Sequence, residues 1–269
     1  MALVEKDIEY EGIKVHVWEG GHGDPLLIMH GSGAGASIIG NFSRVIEPLA
    51  ARYRVLAADL IGFGLSGRKP AESYFDIEMW IGQADFLAKR LAPGPINFIG
   101  HSLSGAIGMK LAARTPRIAR MVMTGTMGSQ FAASQPSRGW TWPEDRAALV
   151  RNMEGGVYDK KTLTPEDIAY RQKLLAQSGY RDYFKKMFIW PRQHYIDQSA
   201  LTERELHHIK APITFVHGLN DIGFPPDESC WKLAAALPQA DVVVFSRCAH
   251  SVAHEYPEKF VTVCTTAFG

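Results

Sequence analysis

The chain has 269 residues, 46% of them hydrophobic and 21% charged, and its 29 lysines and arginines nearly balance 28 acids. Such a length buries a large core as one α/β domain with an insertion. The near-zero net charge argues against nucleic acid or an anionic membrane as main partner and favours a small apolar or weakly anionic ligand.

Residues 1–7 carry acids where a signal peptide has a basic flank, and no apolar run nears the ~20 residues of a membrane span. Three cysteines, Cys230, Cys248 and Cys264, are too few and odd in number for a disulfide framework and suit a reducing cytoplasm. The expectation is a cytoplasmic protein without a cofactor.

In chain order, a hairpin is predicted near 3–10 and 13–18, turning through Glu11 and Gly12. Strands follow at 26–30, 54–59, 96–100, 121–124, 213–217 and 242–245. These are continuous apolar runs, the mark of strands buried on both faces. Helices are predicted over 37–52, 75–91, 104–114, 227–237 and 257–268, with Asp227 as the N-cap of its helix. The alternation predicts a mostly parallel central sheet flanked by helices. Residues 127–200 interrupt it, with no convincing strand and with aromatics from Trp140 to Trp190 interleaved with charge. That stretch reads as a helical lid over the sheet's C-terminal edge, where open α/β sheets bind ligands. Most of its aromatics are expected to pack the lid against itself. Residues 1–126 and 201–269 then form the core.

The strongest motif is Ile99-Gly100-His101-Ser102-Leu103-Ser104-Gly105, which follows a buried strand and opens a helix. This is the context of the nucleophile elbow of the α/β-hydrolase fold, where a sharp strand-to-helix turn lifts a serine hydroxyl out of the backbone. Ser104 stands where the second glycine usually falls, and it is small enough to fit. Ser102 needs a base, and the base needs an acid to orient it. In the chain order Ser, Asp, His, the residues in place are Asp221, after the strand ending at His217, and His250, after the last strand. His254 reads as a surface or supporting group, His207 and His208 as solvated, Asp59 as structural and Cys248 as buried packing. No metal-ligand pattern is present.

An acyl-transfer site also needs donors for the developing oxyanion. One is the backbone N–H of Leu103. The second comes from His30-Gly31-Ser32-Gly33-Ala34-Gly35, a loop whose glycines let backbone approach a substrate. Gly33 is the choice, with the Ser32 side chain beside it. The loop lacks the spacing of phosphate-binding glycine motifs.

In these residues the chain resembles the meta-cleavage product hydrolases, which split a carbon–carbon bond in vinylogous 1,5-diketones made by ring-opening of catechols. The likeness spans nearly the whole chain. It includes the 30–37 loop, Asn41-Phe42-Ser43-Arg44, Gly62-Phe63-Gly64, the elbow, and Cys248-Ala249-His250 with Glu255 five beyond. It also includes Val157-Tyr158-Asp159 with Leu163, Thr164 and Arg171. The resemblance implies that Arg171 grips the substrate's carboxylate and dienolate end; without it, Arg171 reads as a surface partner of Glu166 or Asp167. It further implies a homodimer or larger homo-oligomer.

Three substrate-contacting positions depart from the family. His101 replaces its usual Asn, Ser251 its usual Trp, and Gly156 an aromatic. Three readings follow. The first is hydrolysis of a carbon–carbon bond in a dienol or β-diketone-like substrate, favoured by Arg171 and the overall likeness. The second is a carboxylesterase or lactonase, favoured by the three departures. The third is a ligand receptor or lyase that reuses the fold, since fold does not fix function.

Overall fold

The computed structural model describes residues 3–133 and 138–269. Residues 1 and 2 of the predicted core and residues 134–137 of the predicted lid lie outside the described residues. Eight strands form one sheet: β1 (Val4–Tyr10), β2 (Ile13–Gly20), β3 (Pro25–Met29), β4 (Arg54–Ala58), β5 (Ile96–His101), β6 (Ile118–Thr124), β7 (Ile213–Gly218) and β8 (Ala240–Phe245). Their order is β1-β2-β4-β3-β5-β6-β7-β8. The opening hairpin pairs antiparallel with itself and with β4; every later pairing is parallel.

Alternation along the central strands explains their unbroken apolar runs. Leu27, Met29 and Phe98 point into the core on one face of the sheet, and Leu26, Ile28 and Ile99 into the core on the other. All six are fully buried, and each contributes about 1.5–3 kcal/mol by leaving water. Helices Ile77–Leu91 and Leu103–Arg114 cover the first face, and Pro257–Phe268 covers the second.

Two predicted helices differ. The expected helix over 37–52 is two, Ile38–Phe42 and Ile46–Ala50, separated at Ser43-Arg44-Val45. Pro48 lacks the N–H that would bond the Arg44 carbonyl, and its ring clashes with that carbonyl in a continuous helix. Asp227 is not an N-cap. The helix there is Cys230–Ala236, with Ser229 before it at φ −122° and ψ −93°. The Ser229 hydroxyl turns inward to the Phe224 and Pro225 carbonyls at 3.2 and 2.8 Å, which delays the helix by a turn.

Between β6 and β7 the described residues contain no strand. They hold the helices Arg146–Glu154, Pro165–Leu175, Tyr180–Met187, Arg192–Ser199 and Glu203–His208. Aromatics pack part of this stretch together: Trp140 stacks on Phe188 at 5.5 Å, and Phe188 meets Phe184 and Tyr195 at 4.8 and 5.1 Å. Backbone bonds tie the stretch to the rest, Ala34 donating to Gly139 and Ser251 to Gly156, each at 2.9 Å. Among the described residues no helix is long and apolar enough to cross a membrane.

Candidate active site

The turn from β5 into its helix puts Ser102 at φ +54° and ψ −115°, outside the regions an ordinary side chain prefers. Strain of this kind costs about 1–3 kcal/mol and persists only where surroundings enforce it. Here the Ser102 N–H donates to Thr124 at 2.9 Å, and its carbonyl accepts from Gly105 and Met127 at 3.0 Å each. Close approach requires both glycines of the motif. A Cβ on Gly100 would lie 2.5 Å from the Ser104 carbonyl oxygen, and one on Gly105 only 1.9 Å from Thr126 Oγ1. Ser104 is fully buried, and its hydroxyl donates to the His30 carbonyl at 2.5 Å.

Loops beyond β7 and β8 bring Asp221 and His250 together. His250 Nδ1 lies 2.6 Å from Asp221 Oδ2, while Asp221 Oδ1 accepts from the Gly223 and Phe224 amides at 3.0 and 2.9 Å. Burial opposes the Asp221 charge, yet His250 and His217 outweigh it and hold the carboxyl far below the usual range. Phe224 stacks on the His250 ring at 5.4 Å. His101 also packs against the His250 ring, centroids 4.6 Å apart, with Nδ1 3.1 Å from the Thr124 carbonyl. Burial and the neighbouring His250 keep the His101 pKa well below the ordinary histidine value. Ser102, His250 and His101 line one cavity of about 270 Å³.

The 30–37 loop forms another wall. Gly31 comes closest to Ser102: a Cβ there would lie 2.8 Å from the Ser102 Cβ. Four of the loop's amides are engaged. Gly31 donates to Asn41 Oδ1, Ala34 to Gly139, Gly35 to the Tyr180 hydroxyl and Ala36 to Gly33. Among the described residues no acceptor takes the Ser32 or Gly33 amide, and both residues line the cavity. The Ser32 hydroxyl accepts from Trp140 Nε1 at 3.0 Å. Leu103 is the first residue of its helix, so its N–H has no acceptor within the helix.

Arg171 also reaches this wall. Its Nε donates to the Ala34 carbonyl at 2.7 Å, and Nη2 lies 2.7 Å from where a Gly33 Cβ would stand. The surface pairing with Glu166 or Asp167 does not form. Asp167 instead caps its own helix with Thr164 and meets Arg44 at 3.4 Å. No carboxylate faces Arg171 among the described residues, and burial lowers its pKa. Ser251 lines the cavity beside Gly156, whose Cβ position is 3.3 Å from Ser251 Oγ. No group of three or more His, Cys, Asp or Glu side chains converges to hold a metal among the described residues.

The family described as the α/β hydrolase fold matches residues 24–257. The chain belongs to that family. It is 27% identical to a 2-hydroxy-6-oxo-2,4-heptadienoate hydrolase of Pseudomonas putida, over 93% of this chain and 91% of the relative. It is 26% identical to a pimeloyl-[acyl-carrier protein] methyl ester esterase of Nitrosomonas europaea, over 92% of this chain and 97% of the relative. The structure of a meta-cleavage product hydrolase from Pseudomonas fluorescens IP01 superposes with a TM-score of 0.92 at 26% identity, covering 98% of this chain and 97% of that one.

Within this hydrolase fold, one side chain takes a place other than the surface one expected of it. His254 is buried, not a surface group: the short helix Val252–Glu255 folds it inward, with Nε2 3.1 Å from the Thr162 carbonyl. His207 and His208 are exposed. Cys248 is fully buried, and burial with the nearby Glu255 pushes its thiol pKa well up, so it is no nucleophile. Asp59 is buried and ties three segments, accepting from the Ile38 and Leu65 amides at 2.7 and 2.8 Å.

Other contributors had no clear mark in the sequence. Glu255 accepts from the amides of Ala249, Tyr158 and Asp159 at 2.8, 2.7 and 3.2 Å, joining the His250 loop to the β6–β7 connection. Asn41 holds the Gly31 amide, and Trp140 holds Ser32. Only the family likeness flagged Asn41 and Glu255 in advance.

Proposed function

We propose that this protein hydrolyses a carbon–carbon bond in a carboxylate-bearing vinylogous diketone, of the 2-hydroxy-6-oxo-dienoate kind named for its relatives, with Ser102 as nucleophile, His250 as base and Asp221 as orienting acid. The observation that carries this reading is Arg171, a guanidinium at the cavity wall with no carboxylate opposite it among the described residues. A planar fork of donors in that position suits a substrate carboxylate.

The chemistry follows from the contacts. Asp221 takes the His250 Nδ1–H, which leaves Nε2 as the basic nitrogen. His250 moves the proton of the substrate enol to carbon, giving the keto form. Ser102 Oγ then bonds the distal carbonyl carbon as its proton passes to His250. The new oxyanion is met by the Leu103 and Gly33 amides, with the Ser32 side chain beside them. Collapse breaks the carbon–carbon bond; the electron pair enters the conjugated acid fragment, which takes the proton back from His250 and leaves as a 2-hydroxydienoate. Water releases the acyl group from Ser102 as a carboxylic acid.

A second reading, ester or lactone hydrolysis by the same groups, is supported by His101 in place of the family's asparagine and by Gly156 and Ser251, which leave the wall without the family's aromatic bulk. Residues 127–200 act as the lid in this proposal, since Trp140, Gly156 and Arg171 come from them. Three free, buried cysteines support a cytoplasmic setting. A homodimer or larger homo-oligomer is proposed on the resemblance alone.

The test is steady-state turnover of a 2-hydroxy-6-oxo-hexa-2,4-dienoate, followed by loss of its dienolate absorbance, beside a panel of p-nitrophenyl esters. The dienoate is expected to be preferred, and Ser102→Ala to abolish its turnover. Preference for esters would replace the first reading by the second.

A further inference from the structure

Asp221 serves two imidazoles. Its Oδ2 lies 2.6 Å from His250 Nδ1 and 3.3 Å from His217 Nε2. His217 is the penultimate residue of β7 and has no solvent exposure. Its Nε2 also lies 2.8 Å from the Phe224 carbonyl oxygen. Both neighbours are acceptors, so Nε2 carries the proton. Ser229, 3.5 Å away, directs its own hydroxyl to backbone carbonyls and does not compete as a donor. The His217 N–H is therefore aimed into the turn from Asp221 to Phe224, and the Phe224 ring stacks on His250.

We infer that His217 is a positioning residue for the reaction, its Nε2–H holding the Asp221 carboxylate and the Phe224 carbonyl so that both keep His250 in place. This inference rests on the assignment of His250 as base. Packing alone does not explain the residue: an apolar side chain would fill the core end of β7 without bringing a donor to the triad acid. Burial disfavours a charged ring here, but the Asp221 carboxylate and, with it, Cys230 outweigh it and raise the His217 pKa to about 10. Asp221 meets His217 through the oxygen that His250 uses.

Two variants separate positioning from packing. His217→Gln keeps an N–H at about the reach of Nε2, and His217→Phe keeps the bulk without the donor. The readouts are the downfield proton NMR signal of the His250 Nδ1–H in the substrate-free protein, and kcat and KM on whichever substrate class is turned over. The Phe variant is expected to lose or displace that signal and about 10–100-fold in kcat, the usual loss for a partner that orients a catalytic ligand, with KM little changed. The Gln variant should restore the signal and most of kcat. An unchanged signal and kcat in both variants, or an equal loss in both, would overturn the inference. If circular dichroism shows that His217→Phe does not fold, His217→Asn, whose amide is too short to reach Oδ2, takes its place with the same expectations. The NMR arm needs no substrate, so an absence of Ser102-dependent turnover, which would defeat the proposed reaction, leaves this result readable.

Discussion

Arg171 shows how much one side chain can depend on what it lacks. Its Nε is spent on the Ala34 carbonyl, while Nη2 stands beside Gly33 at the cavity wall with no carboxylate opposite among the described residues. A hydrogen bond to a charged group contributes about 1.5–3 kcal/mol, so Arg171→Ala should cut kcat/KM about 10–100-fold on a carboxylate substrate. Neutral esters should lose far less. Lysine should restore little, since a point charge cannot reproduce the fork. Parallel kinetics on one acidic and one neutral substrate check this, and equal losses would return Arg171 to a structural role. In the sequence, Arg171 was indistinguishable from a helix-surface residue near Glu166 and Asp167; only the likeness to known hydrolases singled it out. The Thr164–Asp167 capping box decided the matter by occupying the nearer acid.

The elbow is a property of an element junction. Backbone and side chains converge there so closely that Gly105 has no space for a methyl group against Thr126. Overpacking of this kind typically costs about 1–3 kcal/mol, which for a chain of this size lowers Tm by about 2–10 °C. Gly105→Ala should show that drop in calorimetry together with a loss of kcat, because the same shift moves Ser102. A variant with unchanged Tm and kcat would refute the tight-junction account. The junction was legible in the residues because small side chains are needed where strand, turn and helix crowd. Helix boundaries were less legible. Pro48 carried the signal that splits the 37–52 segment, whereas the displaced start near Asp227 depended on where the Ser229 hydroxyl found its acceptors.

Across the whole molecule, buried ionisable groups set the acid limit of stability. Burial lowers the His30 pKa to about 3, against a bond to the Gly31 carbonyl, and holds His101 well below its ordinary value. Both must stay neutral in the fold, so their contribution is full above about pH 6.5 and is lost as pH falls. Asp59 acts in the opposite sense: burial raises it to about 7 despite two backbone donors, so its contribution is full below about pH 4 and is lost as pH rises through 7. Burial lowers His254 as well, so three histidines outweigh the one carboxyl and stability falls on acidification below about pH 6.5. His217, raised to about 10, contributes stability that is lost as pH climbs from about 6.5 to 10, which places the maximum near neutrality. Thermal unfolding across this range should show that profile, with a flatter acid side in His101→Asn; an unchanged slope in that variant would remove His101 from the account.

The sequence by itself determined the parallel sheet, the placing of Ser102, Asp221 and His250 after successive strands, and the glycine loop, because continuous apolar runs and small-residue turns act locally. Tertiary structure alone decided which amides of the 30–37 loop lack an acceptor, that Arg171 faces the cavity, and that Asp221 is shared between His250 and His217. Those facts depend on loops that converge from β3, β5, β7 and β8, and no window of sequence holds the competition among donors and acceptors that their meeting creates.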